Sequence, residues 1–133
     1  MARILTGLIG IVVLLGSHVL TAHAQKATER FIPVGNSPGI SHTVSIIGKI
    51  DTFNEQTRTI EIMAFSGIWT AEVTKNTMIW VDRSKATLPN IMGRIADLQK
   101  GRMVEVKYAD DAQRGRGAAE WIKVQLPVGT REP

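Results

Sequence analysis

Soft donor atoms are the first side chains in this chain that could do chemistry. Met63 and Met78 carry thioethers, His42 is the one histidine after residue 24, and Trp69 and Trp80 offer indole faces. Thioether sulfur and imidazole suit Cu(I) or Ag(I), and an indole face attracts a cation placed over it. Met63, Met78 and His42 under Trp80 would form such a soft-metal set if the two methionines stood on adjacent strands with convergent sulfurs. Read without a metal, the methionines are flexible core fillers and His42 is a surface residue.

Charge suggests a second kind of contact. Arg114 and Arg116 lie on a glycine-rich tip over residues 110–117, with Lys107 and Lys123 on the flanking segments. Such a tip suits a polyanion or an acidic partner, and with aromatics on a sheet it could resemble a platform for single-stranded nucleic acid. Catalysis has less to draw on. Asp51, Glu61, Glu72 and Asp82 are scattered over strand ends and outward positions, whereas acid and base chemistry needs two groups around one reacting atom. The chain reads as non-enzymatic.

The leader bears on all of these readings. A lone cation at Arg3, an apolar run over residues 4–15, a polar break and Ala22-His23-Ala24 make a secretory signal in order, with cleavage expected near Ala24. The protein is then periplasmic or secreted, which argues against nucleic acid as a partner and favours an envelope protein or a small ligand. The alternative is an inner-membrane anchor over residues 4–22, close to the roughly 20 apolar residues needed for a crossing. Membrane contact is expected only in that case. No cysteine occurs, so neither lipid attachment at a thiol nor disulfides can support the domain. Loss of residues 1–24 removes Arg3 and leaves 15 basic against 12 acidic side chains, a mild +3.

Patterning locates the elements that must position these residues. Residues 25–41 carry Pro33, Gly35, Asn36, Pro38 and Gly39 with little apolar period, an extended or flexible lead-in. From His42, short alternating segments recur as in a β-barrel or sandwich. Val44, Ile46, Gly48 and Ile50 share one side of a first strand; Ile60 and Ile62 share one side of a second, across the tip Asn54-Glu55-Gln56. Ser66-Gly67 turns into a third strand with Trp69, Ala71 and Val73 aligned, and Lys75-Asn76 precedes a fourth over residues 77–82. Ile91, Ile95 and Leu98 fall at i, i+4 and i+7, the stripe of a short helix ended by Gly101. Val104, Val106 and Tyr108, then residues 119–126, supply the closing strands, and residues 127–133 form a tail.

Five or six antiparallel strands with one short helix before the penultimate strand predict an all-β, OB-like barrel over residues 42–126. The pleat places Ile47, Met63, Ile68, Met78 and Trp80 opposite the core, on strands expected to be neighbours in a meander. An exposed apolar patch of this kind marks a contact surface for a protein or a small ligand; a flattened barrel would instead bury it in a second small core.

Gly48-Lys49-Ile50-Asp51, Arg58-Thr59-Ile60-Glu61-Ile62, Asn76-Thr77-Met78-Ile79, Leu98 through Gly101 into Val104-Glu105-Val106, and Ala119 with Ile122 and Val124 resemble an uncharacterised family of bacterial exported barrel domains. That resemblance implies a fold and an envelope location without a reaction. The second half is also similar to the small periplasmic copper and silver chaperones of the Cus efflux system, through Thr77-Met78-Ile79-Trp80, an L-x-x-G-x-x-V segment over residues 98–104 and Ile122 to Val124. The similarity implies monovalent metal held by one His and two Met under a Trp. In this chain Met63 stands where the histidine would fall, only Met78 lies in the methionine strand, and Trp69 precedes it by nine positions.

Overall fold

The computed structural model describes residues 29–37, 45–110, 112 and 115–129. The leader, His42 and Arg114 lie outside the described residues. Among those described, no helix is long and apolar enough to cross a membrane.

Seven strands follow in order: β1 (Ser45–Asn54), β2 (Thr59–Ala64), β3 (Gly67–Glu72), β4 (Met78–Asp82), β5 (Ile91–Met92), β6 (Met103–Tyr108) and β7 (Arg116–Gln125). Their lateral order is β3-β2-β1-β6-β7-β4-β5, and an added β3–β7 pairing closes a five-stranded barrel of β1, β2, β3, β7 and β6. The OB-like all-β architecture expected from the alternation is what forms.

β1 is the strand that both halves share. Its start pairs with β6 through Ser45↔Lys107 to Lys49↔Met103, and its end pairs with β2 through Gly48↔Ala64 to Asn54↔Thr59. Gly48 sits where the ladders overlap. A Cβ there would stand 2.5 Å from the Met63 carbonyl oxygen and 2.7 Å from Ile62 Cγ2, so the close approach of β1 to β2 requires glycine. The tip between them is fixed by Asn54, whose Oδ1 accepts from the Thr57 N–H at 3.0 Å.

β3 and β4 lie in succession along the same edge of β7. Thr70, Ala71 and Glu72 pair in parallel with Arg116, Gly117 and Ala118; Met78 to Asp82 then pair in parallel with Trp121 to Gln125. The break between them is a Thr74–Thr77 turn in which the Thr77 hydroxyl donates to the Ala119 carbonyl at 2.7 Å, satisfying β7 where its neighbour changes. These parallel pairings, and the separation of β4 from β3, replace the simple meander expected from sequence.

The expected helix is absent too. Ile91 and Met92 form the edge strand β5 against β4, and residues Ile95–Asp97 make a single 3-10 turn. Gly93 is the cause. Its N–H donates to the Ile79 carbonyl at 2.8 Å and a Cβ would press on Ile79 and Val81, so the backbone at Gly93 is spent on β4 and cannot continue a helix. Leu98 is buried and Ile95 packs on the core, so two of the three stripe residues do face inward, while Ile91 is exposed.

One sheet face supplies the barrel core: Ile46, Ile50, Ile60, Ile62, Ala71, Val73, Ile79, Val104, Val106, Tyr108, Ile122 and Val124. Trp69 packs on its rim with its ring 5.8 Å from that of Tyr108.

Candidate functional site

The outer face of the sheet reads as lateral rows. One runs Ile47, Glu105, Lys123, Trp80 and Met92 across β1, β6, β7, β4 and β5; the next runs Met63, Lys49 and Met103 across β2, β1 and β6 and continues beside Gln125 to Asp82. The first row is not open to solvent along its middle. Residues 29–37 cross it as a strap.

Hydrogen bonds tie the strap down. The Val34 N–H donates to Asp82 Oδ2 at 2.8 Å, the Gly35 N–H to Glu105 Oε2 at 3.0 Å, and Asn90 Nδ2 to the Arg30 carbonyl at 2.9 Å. Lys123, with no exposed surface, donates through Nζ to Ser37 Oγ at 3.0 Å, and its ammonium stands 3.9 Å from Glu105 and 4.0 Å from Glu29. The lead-in expected to be extended or flexible is therefore anchored over this length. Burial lowers the Lys123 pKa, and the charges of Glu105, Glu29 and Asp82 pull it partly back.

Two tryptophans complete the covered layer. Trp80 and Trp121 pack with centroids 5.6 Å apart at 34°, and the Lys123 ammonium lies 4.8 Å from the Trp121 ring. Both indole N–H groups are buried and have no hydrogen-bond partner among the described residues. Trp80 is 1% exposed, so its place in the outward binding surface is corrected: it points out of the barrel but into a second core beneath the strap.

The rest of the expected surface divides. Met63 pairs with Ile68 across β2 and β3, at 58% and 70% exposure, and Ile47 lies at the same end of β1, because Gly48 opposes Ala64. Phe65, in the turn between β2 and β3, is as exposed as in an extended peptide, at 110%. Sequence reasoning passed over it because a turn residue has no pleat to assign its side. Met78 is also exposed, but on β4 opposite Trp121, away from the other three.

That separation also bears on the soft-metal set. Met63 is flanked by Lys49 and Ile68, Met78 by Trp121, and β2 and β4 share no ladder, so the thioethers are not on adjacent strands. His42 lies outside the described residues. Among those described, no group of three or more His, Cys, Asp or Glu side chains is placed to hold a metal ion. The buried carboxylates Glu29, Glu105 and Asp82 surround the Lys123 ammonium instead.

Of the cations expected to meet a polyanion, Arg114 is outside the described residues. Arg116 is ion-paired, its Nε 3.2 Å from Glu72 Oε1. Cations gather elsewhere: Lys49, Lys85, Lys100 and Arg102 line an open groove with Gln99, Gly101, Met103, Gln125, Pro127 and Val128. No local motif announces that groove, because its members come from four separate parts of the chain, at Lys49, at Lys85, around Gly101 and around Pro127.

No protein-family model matches the chain, and no curated protein matches its sequence. Among solved structures, it is similar to a tryptophan-to-alanine variant of CusF from Escherichia coli with Cu(II), at 13% identity and a TM-score of 0.44, over 68% of this chain and 100% of that one. A structure of CusF with Ag(I) aligns at 13% identity and a TM-score of 0.42, over 63% and 99% of the respective chains. The likeness is one of chain trace, at an identity too low to transfer a ligand.

Proposed function

We propose that this protein is a non-enzymatic binding module of the cell envelope that engages a partner protein through the apolar end of its outer sheet face. Ile47, Met63, Phe65 and Ile68 form the contact. The observation that carries this reading is Phe65, a full aromatic side chain in solvent at the β2–β3 turn beside the exposed Met63–Ile68 pair. Exposed apolar clusters mark contact sites, and a projecting aromatic is the kind of anchor that fills a partner's pocket. A side chain that projects cannot enclose a small ligand, which favours a protein partner. The leader supports export, and the buried titratable groups serve the strap: Glu105 and Asp82 each accept a strap N–H.

Crosslinking in the native envelope, followed by reconstitution with the purified partner, tests the proposal. Phe65→Ser with Ile68→Ser should abolish the complex while leaving stability within about 0.5 kcal/mol, since both side chains are exposed. A complex of unchanged affinity in the double variant would sink it.

A further inference from the structure

The groove lined by Lys49, Lys85, Lys100 and Arg102 has a volume of about 650 Å³, and among the described residues no acidic side chain contributes to its lining. Lys49 stands on β1 opposite Met103 of β6, Lys85 comes from the 3-10 turn Ser84–Ala86 after β4, and Lys100 and Arg102 flank Gly101 in the turn before β6. Gly101 has φ +84° and nothing within 4 Å of where a Cβ would stand, so the turn opens its backbone to solvent between the two cations. Its other contacts hold the turn in place: the Gly101 N–H donates to the Ile50 carbonyl at 2.7 Å, and the Ile50 N–H donates to the Arg102 carbonyl at 3.0 Å.

Four like charges around one concavity repel one another and raise the local concentration of anions. Among the described residues, one of them has a carboxylate at hand, Lys100 with Asp51 at 3.3 Å; both groups are exposed, a pairing of the weak surface kind that a multivalent anion can displace. We propose that this groove binds ligands that carry several phosphate groups. Three of the four cations are lysines, compact point charges that suit phosphate, and the planar guanidinium fork of Arg102, one of whose Nη2 hydrogens goes to Gln99 Oε1 at 3.1 Å, matches phosphate oxygens as well. The groove is far larger than one phosphate and its cations are distributed around it, so a ligand with several charges matches it better than a single ion. The site shares no residue with Ile47, Met63, Phe65 or Ile68, although its Lys49 borders the apolar contact, opposite Met63 across the β1–β2 ladder.

Several phosphates can reach the groove on one free oligophosphate or as neighbouring headgroups of an anionic lipid surface, and two arms of one experiment separate them. Tripolyphosphate is titrated into the intact protein by calorimetry at low and high salt, and in parallel the protein is sedimented with phosphatidylglycerol or phosphatidylcholine vesicles. Lys85→Gln with Lys100→Gln should weaken binding roughly 25-fold, about fivefold for each cation removed. Binding should also fall with salt as exposed charges are screened. Tripolyphosphate affinity lost in the double variant supports a soluble oligophosphate; retention on phosphatidylglycerol vesicles alone, lost in the same variant, supports headgroups. Phe65→Ser should leave either signal unchanged, which keeps this test separate from that of the partner contact. Binding equal in wild type and the lysine double variant, or no binding in either arm, overturns the proposal.

Discussion

The Lys123 ammonium lies 3.9 Å from Glu105 Oε2, side by side across the β6–β7 ladder on a sheet face that faces away from the barrel core, and neither side chain reaches solvent. The strap makes this arrangement possible by roofing the pair. Removing one member of a buried ion pair leaves the other uncompensated, at a cost of about 3–5 kcal/mol. Lys123→Met should therefore lower the unfolding free energy by that amount in urea. Lys123→Met combined with Glu105→Gln should recover part of it, since the stranded charge is gone. A single-variant loss below about 1 kcal/mol would show the pair open to water.

Trp80 follows from the same roof. It is packed on Trp121 and covered, so Trp80→Ala should destabilise the domain by about 3–5 kcal/mol, the range for deleting a buried aromatic. Deleting residues 25–37 should expose both indoles and shift tryptophan emission to the red, with Trp69 as an unchanged background. Emission unaltered by the deletion would contradict the strap.

Which side chains point into the barrel and which point out is legible in the sequence; what covers part of the outer face is not. Alternation assigned Ile46, Ile50, Ile60, Ile62, Val104 and Val106 to one side of their strands, because a period of two needs only local sequence. The same period put Trp80 on the outside, which is where it points, with Lys123 beside it on the neighbouring strand. What it could not say is that residues 29–37, rich in proline and glycine and without periodicity, would cover them, since that docking depends on single contacts such as Val34 N–H to Asp82 over 48 positions. The helix expected from the apolar spacing of Ile91, Ile95 and Leu98 does not form for a related reason: Gly93 bonds to Ile79 on another strand, a contact that no local spacing carries.

The separation of Met63 from Met78 predicts how Cu(I) should behave. With β2 and β4 unpaired, the two thioethers cannot act as one donor set, so Met63→Leu and Met78→Leu should have independent and small effects on any tryptophan quenching by Cu(I). Each swap nearly preserves volume and should leave stability within about 1.5 kcal/mol. A one-to-one quench abolished by either substitution alone would revive the soft-metal site.

Alkaline pH should act on two buried groups in opposite directions. Lys123 has a folded pKa below its ordinary 10.5, chiefly because burial disfavours its charge. In the window just below pH 10.5 the unfolded chain holds a proton that the folded chain has released, so stability rises with pH there. Tyr108, whose hydroxyl donates to the Thr70 carbonyl at 3.3 Å, is pushed by burial from 10.0 up to about 12. Between pH 10 and 12 the folded chain keeps a proton that the unfolded chain has lost, so this contribution is fully present below pH 10 and is lost by about pH 12, at most about 3 kcal/mol at 1.36 kcal/mol per unit. Tyr108 is the chain's single tyrosine, so phenolate absorbance reads its folded titration directly. In urea melts compared between pH 9 and 12, Tyr108→Phe should remove the falling limb and Lys123→Met the rising one. A phenolate midpoint near 10 in the folded protein would place Tyr108 in water and remove the basis for that limb.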